Sequence, residues 1–277
     1  MTAASWRDHR DQPTTAPDVP GPDTPAFYLD IGQFQGEHHD RNAFAAGTEE
    51  EVAALTTLLG LGPGTRVLDV GCAEGRHLRM LGLRGIVGTG VDVSPALVRA
   101  GQHAAAEAGA AIELAVADAR RLETWLQDRA GTFDVAWSLC QGGLGTSPVT
   151  DPAVVAGLAA AVRPGGTVAL TLFHALFAAR HLAPGDAFDT LGLVHHQRSE
   201  VRGPDHARRQ VDLWTTAYTA RDAARLVSDA GLELCSIRGV EPGAYGRRCA
   251  GEVALDDPEL LVIARRPAPP PSPAAGS

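Results

Sequence analysis

Short, almost uninterrupted apolar runs separated by helix-like stretches constrain this chain more than any other feature. "TRVLDV", "GIVGTGVDV", "AIELAVAD", "FDVAWSL", "GGTVALTLF", "LELCSIRGV" and "ELLVIARR" read as seven strands. Runs without polar alternation are expected of strands covered on both faces. "GRHLRMLGL", "SPALVRAGQHAAAEAG" and "DPAVVAGLAAAV" lie between the early ones with helical composition. Ser94-Pro95 and Asp151-Pro152 read as helix starts, an N-cap followed by proline at the first helical position. Alternation of this kind predicts an α/β fold with a doubly wound parallel sheet.

One segment breaks the pattern. Residues 191–219, "LGLVHHQRSEVRGPDHARRQVDLWTTAYT", read as two strands joined by the turn "RGPDHA". A β-hairpin inserted after the fifth strand would lie over the carboxyl ends of the parallel strands, where ligands bind in such sheets. "GTEEEV" reads as a helix start in which Thr48 and Glu51 form a capping box. The Pro-, Ala- and Ser-rich composition of residues 1–25 and 267–277 predicts disordered tails around a domain spanning 26–266.

Charge narrows the function. The formal net charge is −9 and the chain contains no lysine, all 24 Lys+Arg positions being arginine. A Schiff-base lysine and a phosphate-loop lysine are thereby excluded. An acidic chain without a basic cluster does not suit nucleic acid. No window approaches the length of a bilayer span, and "MTAASWRDHRDQPTTAPDVPGPDTP" lacks a signal-peptide core, so a cytoplasmic protein is expected. The four cysteines show no C-x-x-C spacing, and adjacent pairs such as His38-His39 and His195-His196 make poor chelates on a strand, so no metal is expected.

The turn "VLDVGCAEGRH" after the first strand states the chemistry. Its glycines, Gly71 and Gly75, do not have the G-x-G-x-x-G spacing of a dinucleotide turn. Asp69 and Glu74 would repel a pyrophosphate and favour a cation. With Asp92 ending the second strand in "GVDVS", "VADARRL" after the third and "FDVAWSLCQGGLG" at the fourth, the chain resembles the class I S-adenosylmethionine-dependent methyltransferases of the small-molecule branch, whose sheet is Rossmann-like and seven-stranded.

The resemblance implies that Asp69, Gly71, Cys72, Ala73 and Gly75 cradle S-adenosylmethionine, with Ala73 where the middle glycine is commonest. It implies that Asp92, with Val93 beside it, binds the ribose hydroxyls, that Asp118 and Ala119 meet the adenine edge, and that Leu139, Cys140 and Gln141 line the methionine end. "FYLDIGQFQGEHHDRNAFAAGTEEEV" resembles the strap that closes over the ligand, with Tyr28 and Phe44 as its aromatic contacts. His174, just after the fifth strand, and His195 on the hairpin are candidate bases, since imidazole titrates near the working pH; His38, His39 and Asp40 are others. Trp214 and Tyr218, on one strand face, are candidates for a substrate wall.

The expected activity is methyl transfer to O, N or C of a small metabolite, in natural-product biosynthesis given the GC-rich style of the sequence. A methyltransferase fold using the bound ligand for another reaction, such as a cyclisation, or a non-catalytic binding module are the alternatives. The acceptor and the oligomeric state stay open.

Overall fold

The computed structural model describes residues 24–36, 39, 45, 47–140 and 142–268. Its centre is a sheet of β1 (Arg66–Val70), β2 (Val87–Asp92), β3 (Ile112–Val116), β4 (Phe133–Ser138), β5 (Val162–His174), β9 (Glu233–Val240) and β10 (Glu259–Arg265). The order β3-β2-β1-β4-β5 is parallel throughout; β10 then adds antiparallel to β5, and β9 antiparallel to β10. The order reverses between β1 and β4, which opens a crevice at their carboxyl ends.

Alternation along each strand builds two cores. Leu68, Val70, Val168 and Leu170 face α5 (Leu122–Leu126), α6 (Asp151–Ala161) and α8 (Ala220–Asp229). Val67, Val135, Trp137 and Leu261 face α2 (Thr48–Leu59), α3 (Arg76–Gly82) and α4 (Pro95–Ala108). Trp137 is wholly buried, and truncating such a residue to alanine costs about 3–5 kcal/mol.

The hairpin follows β5 by way of α7 (Ala175–Arg180), and it has three strands rather than two: β6 (Ala187–Asp189), β7 (Val194–Arg202) and β8 (Arg208–Tyr218), antiparallel in sequence. It hangs from the sheet where β5 outruns β4, through Phe173 beside Ala217 and His174 beside Tyr218. Arg163–Gly166 makes a bulge inside β5, with Gly165 at φ +78°. α1 (Thr24–Gln35) packs on α4 and β7, held by the Arg209–Asp30 ion pair and by Gln35 Nε2 donating to the Arg202 carbonyl at 3.3 Å.

Two helix starts differ from expectation. Ser94 caps α4 as expected, accepting from Leu97 N. At α2 the N-cap is Gly47; the Thr48 hydroxyl donates to the Ala45 carbonyl, and Glu51 turns inward to an arginine and a histidine. Pairing with charged groups outbid the cap. At α6 Asp151 stands inside the first turn, and its Oδ2 accepts from Tyr218 Oη at 2.5 Å and Gly145 N at 3.1 Å. No helix among the described residues is long and apolar enough to cross a membrane.

Candidate cofactor and acceptor site

The chain leaves β1 through a turn that only glycine can make. Gly71 has φ +77°, and a Cβ there would fall 1.9 Å from the carbonyl carbon of Gly142, in the loop after β4. Gly71 N and Cys72 N both donate to the Val91 carbonyl, at 2.8 and 3.1 Å, which ties the turn to β2. Gly75 is the left-handed N-cap of α3. Ala73 also adopts a left-handed conformation, φ +48°, despite its side chain.

Asp92 closes β2 and is 7% exposed. Its Oδ2 accepts from Ala73 N at 2.9 Å and its Oδ1 from Ser94 N at 2.8 Å, so each oxygen is aimed by a backbone N–H and keeps a lone pair for a further donor. Burial raises its pKa, and those two bonds offset part of the rise. Burial likewise pushes Asp69 up to about 6, against the opposing charges of His77 and Arg76. At Glu74 burial acts upward, but the hydrogen bond from His39, 2.6 Å to Oε2, and its charge prevail and hold the carboxyl below its ordinary range. Glu74 Oε1 is buried with no partner among the described residues.

These groups open into a cavity of about 410 Å³. Asp69, Gly71, Cys72 and Ala73 line it at the turn; Asp92, Val93, Asp118 and Ala119 line it beside β2 and β3; Leu139, Cys140 and Tyr28 of α1 line it elsewhere. The Asp118 carboxylate is already engaged, accepting from Arg120 N at 3.0 Å and from its guanidinium at 2.7 Å, so an adenine amine would meet an acid shared with Arg120. Phe44, Gln141, His38 and Asp40 lie outside the described residues.

Gly75 is not on the cavity wall, and neither are the candidates for base and substrate wall, His174, His195, Trp214 and Tyr218. His174 donates from Nδ1 to the Asp257 carbonyl at 2.9 Å, and His195 Nε2 pairs with Asp186 at 3.0 Å. Trp214 stacks on His196, with ring centroids 4.7 Å apart, and the Tyr218 hydroxyl goes to Asp151. Leu213 reaches the cavity instead, on the opposite face of β8.

A buried polar cluster that the sequence did not disclose stands behind Cys140. Glu51 Oε2 accepts from Arg76 Nη1 at 2.8 Å and bonds His77 Nε2 at 2.7 Å, and its Oε1 accepts from Gly243 N at 2.8 Å. Arg76 Nη2 donates to Cys140 Sγ at 3.1 Å, and the Tyr245 hydroxyl stands 3.1 Å from the same sulfur. Glu51, His77 and Cys140 have the donor types of a metal site, and the Arg76 guanidinium bonds both Glu51 and Cys140. Arg76, His77 and Glu259 also line the cavity. The only sequence signals were Arg76 and His77 directly following the glycine turn, and one acid opening an apolar run.

The donor set suits S-adenosylmethionine. Asp92 offers two aimed acceptors for vicinal hydroxyls. The unpartnered Glu74 oxygen suits an ammonium, and the surrounding carboxylates suit a sulfonium. A pyrophosphate would find the same groups repulsive.

Comparison with known proteins agrees. Residues 67–166 match the family described as a methyltransferase domain. The ubiquinone biosynthesis O-methyltransferase of Xanthomonas axonopodis pv. citri is 27% identical over 178 residues, which cover 64% of this chain and 66% of that protein. A second, from Xanthomonas campestris pv. campestris, is 31% identical over 48% of its length, so the chain spans about half to just under two thirds of these curated relatives. Among solved structures, the CcbJ methyltransferase of Streptomyces caelestis superposes with a TM-score of 0.64 at 17% identity, over 80% of this chain and 90% of that one. At those identities the structural likeness speaks for the fold alone. The match places a methyltransferase domain at residues 67–166, over the glycine turn and its acids.

Proposed function

We propose that the protein transfers the methyl group of S-adenosylmethionine to O, N or C of a small metabolite, in natural-product biosynthesis in the cytoplasm, with no role for nucleic acid. The observation that carries this reading is the Asp92 carboxylate, both of whose oxygens are held by backbone N–H groups against the glycine turn. The formal charge of −9 without lysine supports a small-molecule partner.

When bound, the ligand supplies an electrophilic methyl on a sulfonium. Displacement at that carbon needs chiefly alignment and a dry pocket. α1 roofs the cavity with Tyr28, Ile31 and Gly32, and the hairpin adds Leu213, so apolar groups exclude water above the turn. Burial pushes the Cys140 thiol up to about 12 and the Cys72 thiol well above its ordinary value. Neither is a thiolate near neutral pH, which favours direct transfer over a protein-bound methyl.

Calorimetry with S-adenosylhomocysteine, using NAD and ATP as controls, tests the ligand; production of S-adenosylhomocysteine with phenols, alcohols and amines tests the reaction. Binding of NAD in place of the homocysteine ligand would overturn the proposal. Turnover without S-adenosylhomocysteine would move the protein to a non-methyl reaction; a [4+2]-cyclase, SpnF, has this fold at a TM-score of 0.54 and 19% identity, over 81% of this chain and 82% of that one.

A further inference from the structure

Glu259 is not among the residues that the resemblance assigns to the methyl donor, yet it lines the same cavity. It opens β10, and the antiparallel register sets it opposite Phe173 near the end of β5, level with the carboxyl ends of the parallel strands. It is 5% exposed and lines the cavity, and its Oε2 is buried with no hydrogen-bond partner among the described residues. Leaving a buried polar group unpaired costs about 1–3 kcal/mol, so each such group calls for an explanation.

The titratable and charged groups that face it come from four elements: Glu51 of α2, Arg76 of α3, Cys140 after β4 and Tyr245 after β9. The flanking strands present Phe173 and Val240, which do not titrate. Glu51, Arg76, Cys140 and Tyr245 are hydrogen-bonded among themselves, and none bonds Glu259. Burial first, then the Glu51 charge, push the Glu259 carboxyl up to about 8, with Arg76 pulling the other way. The ligand-free site therefore holds a proton on Glu259 at neutral pH. A cation entering the same cavity favours the carboxylate.

We propose that Glu259 is the general base of the reaction, hydrogen-bonding the O–H or N–H of the acceptor and taking its proton, so that the acceptor is a hydroxyl or amine of a small molecule. This rests on the methyltransferase reading above and narrows it. The acceptor lone pair forms the new bond to the methyl carbon, and the carbon–sulfur bond breaks with its electron pair left on sulfur. The acceptor proton passes to Glu259, which later releases it to solvent. A carboxylate and a sulfonium become an acid and a thioether, and a low-dielectric cavity favours that loss of charge.

The test compares proton release on binding S-adenosylmethionine with that on binding S-adenosylhomocysteine, by calorimetry in buffers of different ionisation heat. At pH 7 the sulfonium ligand is expected to release about one proton more than the thioether, because only the former drives Glu259 to its charged form. In wild-type protein the difference should vanish at about pH 9.5, above the pKa of the free acid. In a Glu259→Gln protein shown to be folded by its S-adenosylhomocysteine binding, the difference should be absent, and turnover of hydroxyl or amine acceptors should fall at least about 100-fold. Equal proton counts in the wild type at pH 7, or a difference that persists in Glu259→Gln, would overturn the assignment while leaving the methyltransferase reading intact. Failure of both ligands to bind would remove that reading itself.

Discussion

Ala73 donates its backbone N–H to Asp92 Oδ2 at 2.9 Å from a left-handed conformation, φ +48°. The bond that aims the Asp92 carboxylate is thus held by a residue whose side chain disfavours the required backbone. A left-handed L-residue costs about 1–2 kcal/mol, and glycine gives back about 0.5–1 kcal/mol through its freer unfolded state. Ala73→Gly is expected to raise the unfolding free energy by about 0.5–1 kcal/mol in a denaturant titration. Its affinity for S-adenosylhomocysteine should stay within about twofold, since the N–H is unchanged.

Asp92→Ala removes a carboxylate that would accept from both ribose hydroxyls and also frees two backbone donors. Loss of hydrogen bonds to a charged group predicts about 3 kcal/mol, or roughly a 100-fold weaker S-adenosylhomocysteine complex by calorimetry. A change below about threefold would show that the acid does not touch the ligand.

Because His174 and His195 bond to Asp257 and Asp186 and do not line the cavity, structural roles are expected of them. His174→Gln and His195→Gln are expected to lower stability by about 1–3 kcal/mol each. Affinity for S-adenosylhomocysteine and kcat/KM should change less than about threefold. A selective loss of kcat in a fully folded variant would reinstate either ring as a base.

The pH dependence of stability follows from the buried acids. Asp69 and Asp151 stand at about 6 and Glu259 at about 8 in the folded protein, each raised chiefly by burial. Carboxyls in unfolded chains titrate near about 4. Groups raised on folding stabilise fully below the unfolded value, and their contribution is lost as pH rises through the folded one. Glu51 and Glu74, held low by His77 and His39 against burial, act in the opposite sense and lose theirs as pH falls. The thermal midpoint of the ligand-free protein should therefore be highest near about pH 4 and decline toward about pH 8.5. Glu259→Gln should flatten the upper part of that decline; an unchanged slope would show that Glu259 does not titrate there.

The cofactor side was legible because it is local. Asp69, Gly71, Asp92 and Asp118 each lie within two residues of the end of a parallel strand, which fixes where their side chains go. The Glu259 side of the cavity was not, because long-range pairing makes it. Glu259 reaches the cavity only once β10 has paired with β5, and Arg76 meets Cys140 only once β4 lies beside β1. The hairpin was foreseen, but the phase of β8 was not: Leu213, one residue from Trp214, faces the cavity. A shift of one position exchanges the faces of a strand. His174 shows the same limit, since its place at the end of β5 did not tell which way its ring turned. The capping box expected at Thr48 belongs instead to Thr219 and Asp222, at α8. At Thr48 the motif was present, but a stronger electrostatic partner claimed Glu51.

The backbones of Gly71 and Gly142 touch: a Cβ on either would strike the other's peptide at about 1.9 Å. In descent this ties two distant codons together, because neither can drift to another amino acid while its counterpart stays in place. Novelty in what such an enzyme modifies must then arise elsewhere. Ile31 of α1 and Leu213 of the hairpin line the cavity from elements outside that turn, so a change there would reshape the cavity without disturbing the contact.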